Sequence, residues 1–190
     1  MKAVKTFNTY QQRTTLTANH PEKYAENYLY SGLTEECAEV LGKYAKRYRG
    51  DFDNNPQLFK DYLKKELGDV MWFVAQVALL NRTKLSVVTG VNTIERYAPD
   101  ISFYLRREAD LAHEMVKIAT LIYDGELMYC VADVESLRKS LIFQLEEIVA
   151  RVYILAKEND FTMTEILNHN LDKLHDRKER NVIKGSGDKR

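Results

Sequence analysis

Apolar side chains recur every three or four residues along most of this chain, which is the spacing of one face of an α-helix. No run alternates apolar and polar residues as a half-buried strand would. Glycine and proline are scarce, at 8 and 3 of 190 residues. The pattern predicts an all-α protein whose helices form an antiparallel bundle. The predicted helices cover 22–48, 57–80, 84–97, 99–123, 134–158 and a last segment from Thr162 or Thr164 to about 178.

Several helix ends are marked by residues that break or cap helices. The first long helix should stop near Gly50, and a turn-rich loop covers 51–56. Pro99 is well placed to begin a helix, and Asn159-Asp160 interrupts one. The run 70–75 is apolar on most sides, so the helix that carries it should be buried.

A shift of the chain by 78 residues, the spacing from Leu33 to Leu111, superposes apolar positions along three successive helices. Any two amphipathic helices can be slid into register, but a single shift that serves three helices favours an internal duplication. Some polar positions agree as well. The matching pairs include Val40 with Ile118, Leu67 with Leu145, Val70 with Ile148, Val74 with Val152, Glu36 with Glu114, and Asn81 with Asn159.

Charge is balanced overall but segregated locally. Lys+Arg and Asp+Glu both total 28, so no basic field favours nucleic acid, and we expect no nucleic-acid partner. No apolar run is long enough to cross a membrane, and the first residues lack a signal-peptide core. Cys37 and Cys130 lie in apolar helical contexts and suit buried free thiols. These observations predict a cytoplasmic protein.

Two acidic clusters stand out. Glu35, Glu36 and Glu39 project from adjoining faces of one helical turn, and Glu66 and Asp69 repeat the three-residue spacing on the next helix. Either cluster alone is common on a solvated surface, and neighbouring lysines such as Lys64 and Lys65 offer local pairs. The two clusters together favour a shared cation, because the loop lets their helices pair and an apolar run follows the second cluster.

Magnesium prefers carboxylate oxygens and keeps water or phosphate in its remaining coordination positions. The two clusters therefore predict a four-carboxylate Mg²⁺ site between antiparallel helices, with Mn²⁺ as an alternative ion. Gly68 would allow a helix or a ligand to approach closely there.

The acidic pattern resembles the EExxE…ExxD signature of MazG-like all-α nucleoside triphosphate pyrophosphohydrolases. The residues that flank the acids, at 32–40 and 66–73, also agree with the family. The closing run from Asn170 is similar to that of many family members. The resemblance covers roughly residues 25–90 and 164–190. It implies hydrolysis of a (d)NTP between the α and β phosphates to a monophosphate and pyrophosphate.

The resemblance also implies roles for individual residues. Glu36, Glu39, Glu66 and Asp69 would hold Mg²⁺, and Glu35 would bind a further metal ion or orient the attacking water. Lys43 and Arg47, one and two turns beyond the first cluster, would contact phosphates, although a solvated helix face explains them equally well. Asn170, Lys173 and Arg177 in the closing run would bind phosphate or sugar.

The chain departs from the family pattern in its second half. The Asn-x-x-Lys segment should follow ExxD by about two dozen residues, yet that position holds Asn92 and Glu95, and the match comes one repeat later at Asn170 and Lys173. The second copy has lost acids, so we expect no competent metal site there. At the shifted positions Glu35 becomes His113, Glu39 becomes Lys117 and Glu66 becomes Gln144, whereas Glu114 and Glu147 stay acidic.

These patterns predict three parts. Residues 1–98 form a MazG-like catalytic helical unit, 99–180 a degenerate second helical repeat packed on it as one globular bundle, and 181–190 a basic flexible tail. The second repeat would act as a built-in partner for the site. We also expect a homo-oligomer, a dimer or a tetramer, and whether the closing residues act in cis or in trans stays open.

Other readings remain. The enzyme would clean damaged nucleotides or shift the deoxynucleotide pool, as some phage-encoded relatives do. A dUTPase-like or a phosphoribosyl-ATP pyrophosphohydrolase-like preference is open, because no motif names the base. Tyr10, Tyr24, Tyr28 and Trp72 are candidates for stacking on a base, although core packing suits each of them as well. A non-catalytic protein that binds nucleotide or metal is the alternative class, and the intact set of acids argues against it.

Overall fold

The protein was analysed as a computed structural model that describes residues 2–100, 107–126 and 133–182. No strand forms within these residues, so the predicted all-α class is confirmed. Two 3₁₀ turns, Glu22–Tyr24 and Ile94–Arg96, accompany the α-helices. The helices are α1 (Phe7–Thr14), α2 (Ala25–Tyr48), α3 (Pro56–Leu80), α4 (Leu85–Val88), α5 (Glu108–Glu126), α6 (Val134–Glu158) and α7 (Met163–Glu179).

Side-chain caps fix the starts of α3, α6 and α7. The Asn55 side chain accepts a hydrogen bond from the Leu58 amide, with Pro56 in the first turn of α3. Asp133 caps α6 in the same way. Thr162 and Glu165 form a reciprocal capping box at the start of α7. These signals are local, and the predicted helices at 57–80 and 134–158 match α3 and α6 closely.

Two predicted segments are wrong. The segment 84–97 contains only the short helix α4 and a 3₁₀ turn, because Gly90 takes a positive φ of 67° and the chain then pairs with the N-terminal segment. There the Phe7 amide donates to the Asn92 carbonyl and the Ile94 amide to the Lys5 carbonyl. Pro99 and Asp100 are not helical, so the helix predicted to begin at Pro99 is wrong at its start. Residues 101–106 of that predicted helix lie outside the described residues, and α5 covers Glu108–Glu126, past the predicted stop at Asp124-Gly125.

The sequence also missed α1. Only two of its eight residues, Phe7 and Tyr10, are large and apolar, which is too few to make a helical period visible. Both side chains are completely buried. The helix is therefore specified by its packing on the rest of the protein rather than by its own pattern.

The bundle is built around α3. Helices α1, α2, α6 and α7 all pack on it, and α5 packs against both α2 and α6. The predicted burial of 70–75 is confirmed, since each of those side chains is at most 7% exposed. One continuous hydrophobic core runs through both predicted halves, from Val4 to Leu171. No helix of the described residues is long and apolar enough to span a membrane.

The end of α3 and the end of α6 have the same local structure at positions 78 residues apart. Arg82 and Asp160 have positive φ values of 52° and 64°. The preceding side chains, Asn81 and Asn159, each donate to the carbonyl oxygen four residues earlier. These details agree with the predicted duplication, which stays a prediction. Most of the predicted tail, from residue 183 onward, lies outside the described residues, as does Cys130.

We expect Gly68→Ala to lower the free energy of unfolding by about 1–3 kcal/mol, because the new methyl group overpacks an interior contact. A Cβ at Gly68 would lie 2.9 Å from the Cβ of Asn170 on α7. A Cβ is attached directly to the backbone, so it cannot swing away as the tip of a side chain can. Urea denaturation followed by circular dichroism measures the change.

Gly42→Ala is the matched control, since a Cβ there meets nothing within 4 Å. In the middle of α2 this exchange should stabilise the protein by about 0.5–1 kcal/mol. Equal effects of the two substitutions would contradict the close packing of α3 and α7.

Candidate metal centre

Carboxylates from two adjacent helices meet at one place in the bundle. Glu36 and Glu39 on α2 and Glu66 on α3 each offer an oxygen, and these atoms lie within 4.8 Å of one another. Asp69, one turn beyond Glu66, is close enough to act electrostatically on Glu36. Glu35 is exposed on the same turn of α2. The two clusters that the sequence singled out therefore converge.

Glu66 is the most buried member, with a side chain that is 1% exposed. Its Oε1 accepts from the Lys43 ammonium at 2.9 Å and pairs with Lys65 at 3.4 Å. Its Oε2 is buried and has no hydrogen-bond partner. A buried carboxylate oxygen without a partner costs free energy. Such an oxygen can act as a ligand of a hard cation. The donor set and this orphaned atom fit Mg²⁺.

The electrostatics of Glu36 lead to the same conclusion. Burial, and then the negative charges of Asp69, Glu39 and Glu66, raise the pKa of its carboxyl from 4.5 to about 8, against the lowering effect of Lys173. The cluster thus holds more negative charge than its surroundings compensate. A divalent cation would compensate these charges and so lower the pKa of Glu36.

Asp69 is bound by two residues from α7. The Lys173 ammonium lies 2.6 Å from both carboxylate oxygens, and the Asn170 amide donates to Oδ1 at 2.9 Å. Gly68 leaves the space that α7 needs for this approach. Both predicted residues therefore reach the acids of their own chain.

The other predicted phosphate contacts lie in different surroundings. Lys43 is turned into the cluster, between Glu66 and, at 3.8 Å, Glu39. The Arg47 guanidinium pairs with Glu108 of α5 at 3.1 Å and lies over the Phe59 ring. Arg177, on α7 beyond Lys173, is only 8% exposed. Of the three, Lys43 is the one that contacts the acids.

An aromatic cluster adjoins the acids. Phe73 follows Asp69 by one turn and packs across Gly32, where a Cβ would lie 2.2 Å from the ring. Tyr28, 44% exposed, lies between Phe73 and His20, at ring-centroid distances of 5.7 and 5.2 Å. Neither ring nitrogen of His20 has a hydrogen-bond partner, although both are buried. Tyr28 is the exposed member of this cluster, whereas Phe73 is 7% exposed.

The tyrosines and the tryptophan considered for base stacking separate into three kinds. Tyr28 belongs to this exposed cluster, and Tyr24 is exposed on its own at 55%. Trp72 is 6% exposed and donates to the Thr17 hydroxyl. The Tyr10 hydroxyl donates to Asn170 Oδ1 at 3.0 Å, a contact that no sequence pattern indicates.

The second helix pair carries an arginine where its remaining acids meet. Arg151 of α6 pairs with Glu114 of α5 and with Glu147, each at 2.9 Å. Its side chain is 9% exposed. These acids occupy the positions that the 78-residue shift pairs with Glu36 and Asp69. Here a guanidinium of the protein itself pairs with both acids.

Residues 25–96 match the family model of the MazG nucleotide pyrophosphohydrolase domain, which confirms the resemblance for that segment. The Gene 37 protein of Mycobacterium phage L5 is 41% identical over 66 residues, which are 35% of this chain and 58% of the phage protein. The chain thus spans little more than half the length of that relative. No solved structure matches the chain. The matched segment contains all five predicted acids and excludes the closing run at 164–190.

The metal-free protein should become less stable as pH rises from 4.5 to about 8. In this range the folded state keeps the Glu36 proton that the unfolded state has lost, so deprotonation opposes folding. Glu36→Gln should flatten the dependence. Because ion binding must release the proton, the apparent Mg²⁺ affinity of the wild type should rise over the same range.

Urea denaturation with a chelator at pH 5 and pH 8 measures the first effect, and calorimetric titration the second. Glu26→Gln, at an exposed position earlier on α2, is the control and should keep the wild-type pH dependence. A Glu36→Gln profile that parallels the wild type would contradict the assignment.

Arg151→Met should cost about 2–3 kcal/mol of unfolding free energy, somewhat less than the ~3–5 of a fully buried pair, because it removes the ion pairs of the guanidinium with two partly buried carboxylates. Lys139→Met on the same helix removes only an exposed pair with Glu135 at 3.6 Å and should change stability by less than about 0.5 kcal/mol. Thermal unfolding compares them. Adding Glu114→Gln and Glu147→Gln should restore much of the loss, and equal stability of the two single variants would refute the role of Arg151.

Proposed function

We propose that this protein is a Mg²⁺-dependent nucleoside triphosphate pyrophosphohydrolase that cleaves a (d)NTP between the α and β phosphates. The observation that carries the proposal is the convergence of Glu36, Glu39 and Glu66 around an orphaned carboxylate oxygen, beside Asp69. The match of this segment to a nucleotide pyrophosphohydrolase domain supports the reaction class.

Glu36, Glu39, Glu66 and Asp69 would hold the magnesium. The bound ion supplies neutralisation of phosphate charge and a lowered pKa of a coordinated water. Glu35, exposed at the rim of the cluster, would accept a proton from the attacking water and orient it.

Lys43 and Lys173 are the cations nearest to the acids, at 2.9 Å from Glu66 and 2.6 Å from Asp69. Both side chains are mostly buried, which gives their charge more weight than a surface lysine would have. We assign them the triphosphate, whose negative charge would enter beside the carboxylates. They would then compensate the phosphates and the acids together.

The nucleobase would rest on the aromatic cluster of Tyr28, Phe73 and His20. Phe73 follows Asp69 by one turn of α3, and Tyr28 precedes Glu36 by about two turns of α2, so a nucleotide would span both places. The exposed Tyr28 ring offers a stacking face, and the His20 ring nitrogens lack protein partners.

A pyrophosphate-release assay tests the reaction, with ribo- and deoxynucleoside triphosphates, dUTP and phosphoribosyl-ATP as substrates in the presence of Mg²⁺. Glu39→Gln should lower kcat/KM by about 100-fold or more, since even residues that only support a metal ligand cost 10–100-fold. Glu39 suits the test because its side chain is 45% exposed and its substitution should leave the fold intact.

Glu26→Gln is again the matched control and should keep wild-type activity. Turnover of dUTP or phosphoribosyl-ATP alone would assign one of the narrower specificities. Binding of nucleotide and Mg²⁺ without turnover of any substrate would replace the proposal with a non-catalytic binding protein.

A further inference from the structure

Helix α1 is held on α3 by polar contacts that define its position closely. The Gln11 side chain donates to the carbonyl oxygens of Ala75 and Thr83, at 3.2 and 2.9 Å, and accepts from the Leu85 amide at 3.0 Å. The Gln76 amide donates to the Thr14 hydroxyl at 2.7 Å. All these groups are buried, so breaking any of the bonds would leave unsatisfied polar atoms.

Tyr10 extends from this anchored helix towards the acids. Its side chain is 0% exposed, and its hydroxyl donates to Asn170 Oδ1 at 3.0 Å. Asn170, also 0% exposed, in turn donates through Nδ2 to Asp69 Oδ1 at 2.9 Å. A chain of hydrogen bonds therefore runs from α1 through α7 to α3.

The two bonds of Asn170 fix the direction of its amide. A carboxylate only accepts hydrogen bonds, so the amide nitrogen must face Asp69 and the oxygen must face Tyr10. Burial and the negative charge of Asp69 hold the pKa of the Tyr10 hydroxyl well above its usual range, which keeps its proton available for donation. A flipped amide would place its oxygen against the Asp69 carboxylate.

We propose that Tyr10 is a positioning residue for the metal centre: by donating to Asn170 it holds the amide that orients the Asp69 carboxylate. This role rests on the proposed function, in which Asp69 is a metal ligand. It explains why a tyrosine is used at a position where phenylalanine would fill the same space. Groups that orient metal ligands set the affinity of a site as well as its geometry.

Tyr10→Phe removes the hydroxyl and keeps the ring. We expect it to weaken Mn²⁺ binding about 10-fold, measured by calorimetric titration or by electron paramagnetic resonance without nucleotide. The matched control is Tyr44→Phe. Tyr44 is also 0% exposed, and its hydroxyl accepts a hydrogen bond from Asn159 at 3.5 Å. Unlike Asn170, Asn159 does not contact the acids of the metal centre. The two variants should have similar unfolding temperatures, and only Tyr10→Phe should change Mn²⁺ affinity.

A double-mutant cycle identifies the route. If Tyr10 acts through Asn170, then Asn170→Ala should weaken Mn²⁺ binding at least as much, and adding Tyr10→Phe to it should have little further effect. Wild-type Mn²⁺ affinity in Tyr10→Phe, or fully additive losses in the double variant, would overturn the role. A wild type that hydrolyses no nucleotide but binds Mn²⁺, with the pattern above, would overturn the proposed function and leave this positioning role standing. A wild type that binds no Mn²⁺ would overturn both.

Discussion

The mutual repulsion of the carboxylates on α2 and α3 is the constraint on which the arrangement of the other helices depends. Burial, and then the charges of Asp69, Glu39 and Glu66, raise the pKa of Glu36 to about 8, and Glu66 is almost completely buried. Charge of this density is tolerated only if cations and donors surround it. Lys43 supplies a cation from α2 itself, and α7 supplies the cation of Lys173 and the amide donor of Asn170. Gly68 lets α7 come that close, and α1 packs against α3 and α7.

The two helix pairs meet a similar problem in different ways. In the first pair the acids leave an oxygen without a protein partner, whereas in the second Arg151 bonds to both Glu114 and Glu147. The 78-residue shift pairs Arg151 with Phe73, an aromatic residue beside the first site. By this shift, the position that holds an aromatic ring in the first pair holds a positive charge beside the acids in the second.

The sequence predicted what is local and could not predict what is distant. Glu36 and Glu39, or Glu66 and Asp69, are within one turn of each other, so the helical period alone places them on neighbouring faces. Capping residues such as Thr162 mark helix ends in the same local way. The contact of Tyr10 with Asn170 joins residues 160 positions apart and leaves no trace in either neighbourhood. Similarly, the apolar spacing of 84–97 predicts one helix, yet Gly90 interrupts it and the residues that follow pair with the N-terminal segment.

The hydrogen bonds that meet at Asp69 also bear on how portable the matched segment is. Residues 25–96 carry every acid, but the lysine and the amide that bind Asp69 come from α7, and the hydroxyl behind them comes from α1. The segment before α1 is also joined to α7, where the Val4 amide donates to Asn168 Oδ1. A gene fragment that encoded only the matched segment would therefore transfer the acids without most of what restrains them. Within the described residues, the surroundings of Asp69 draw on helices from both ends of the chain.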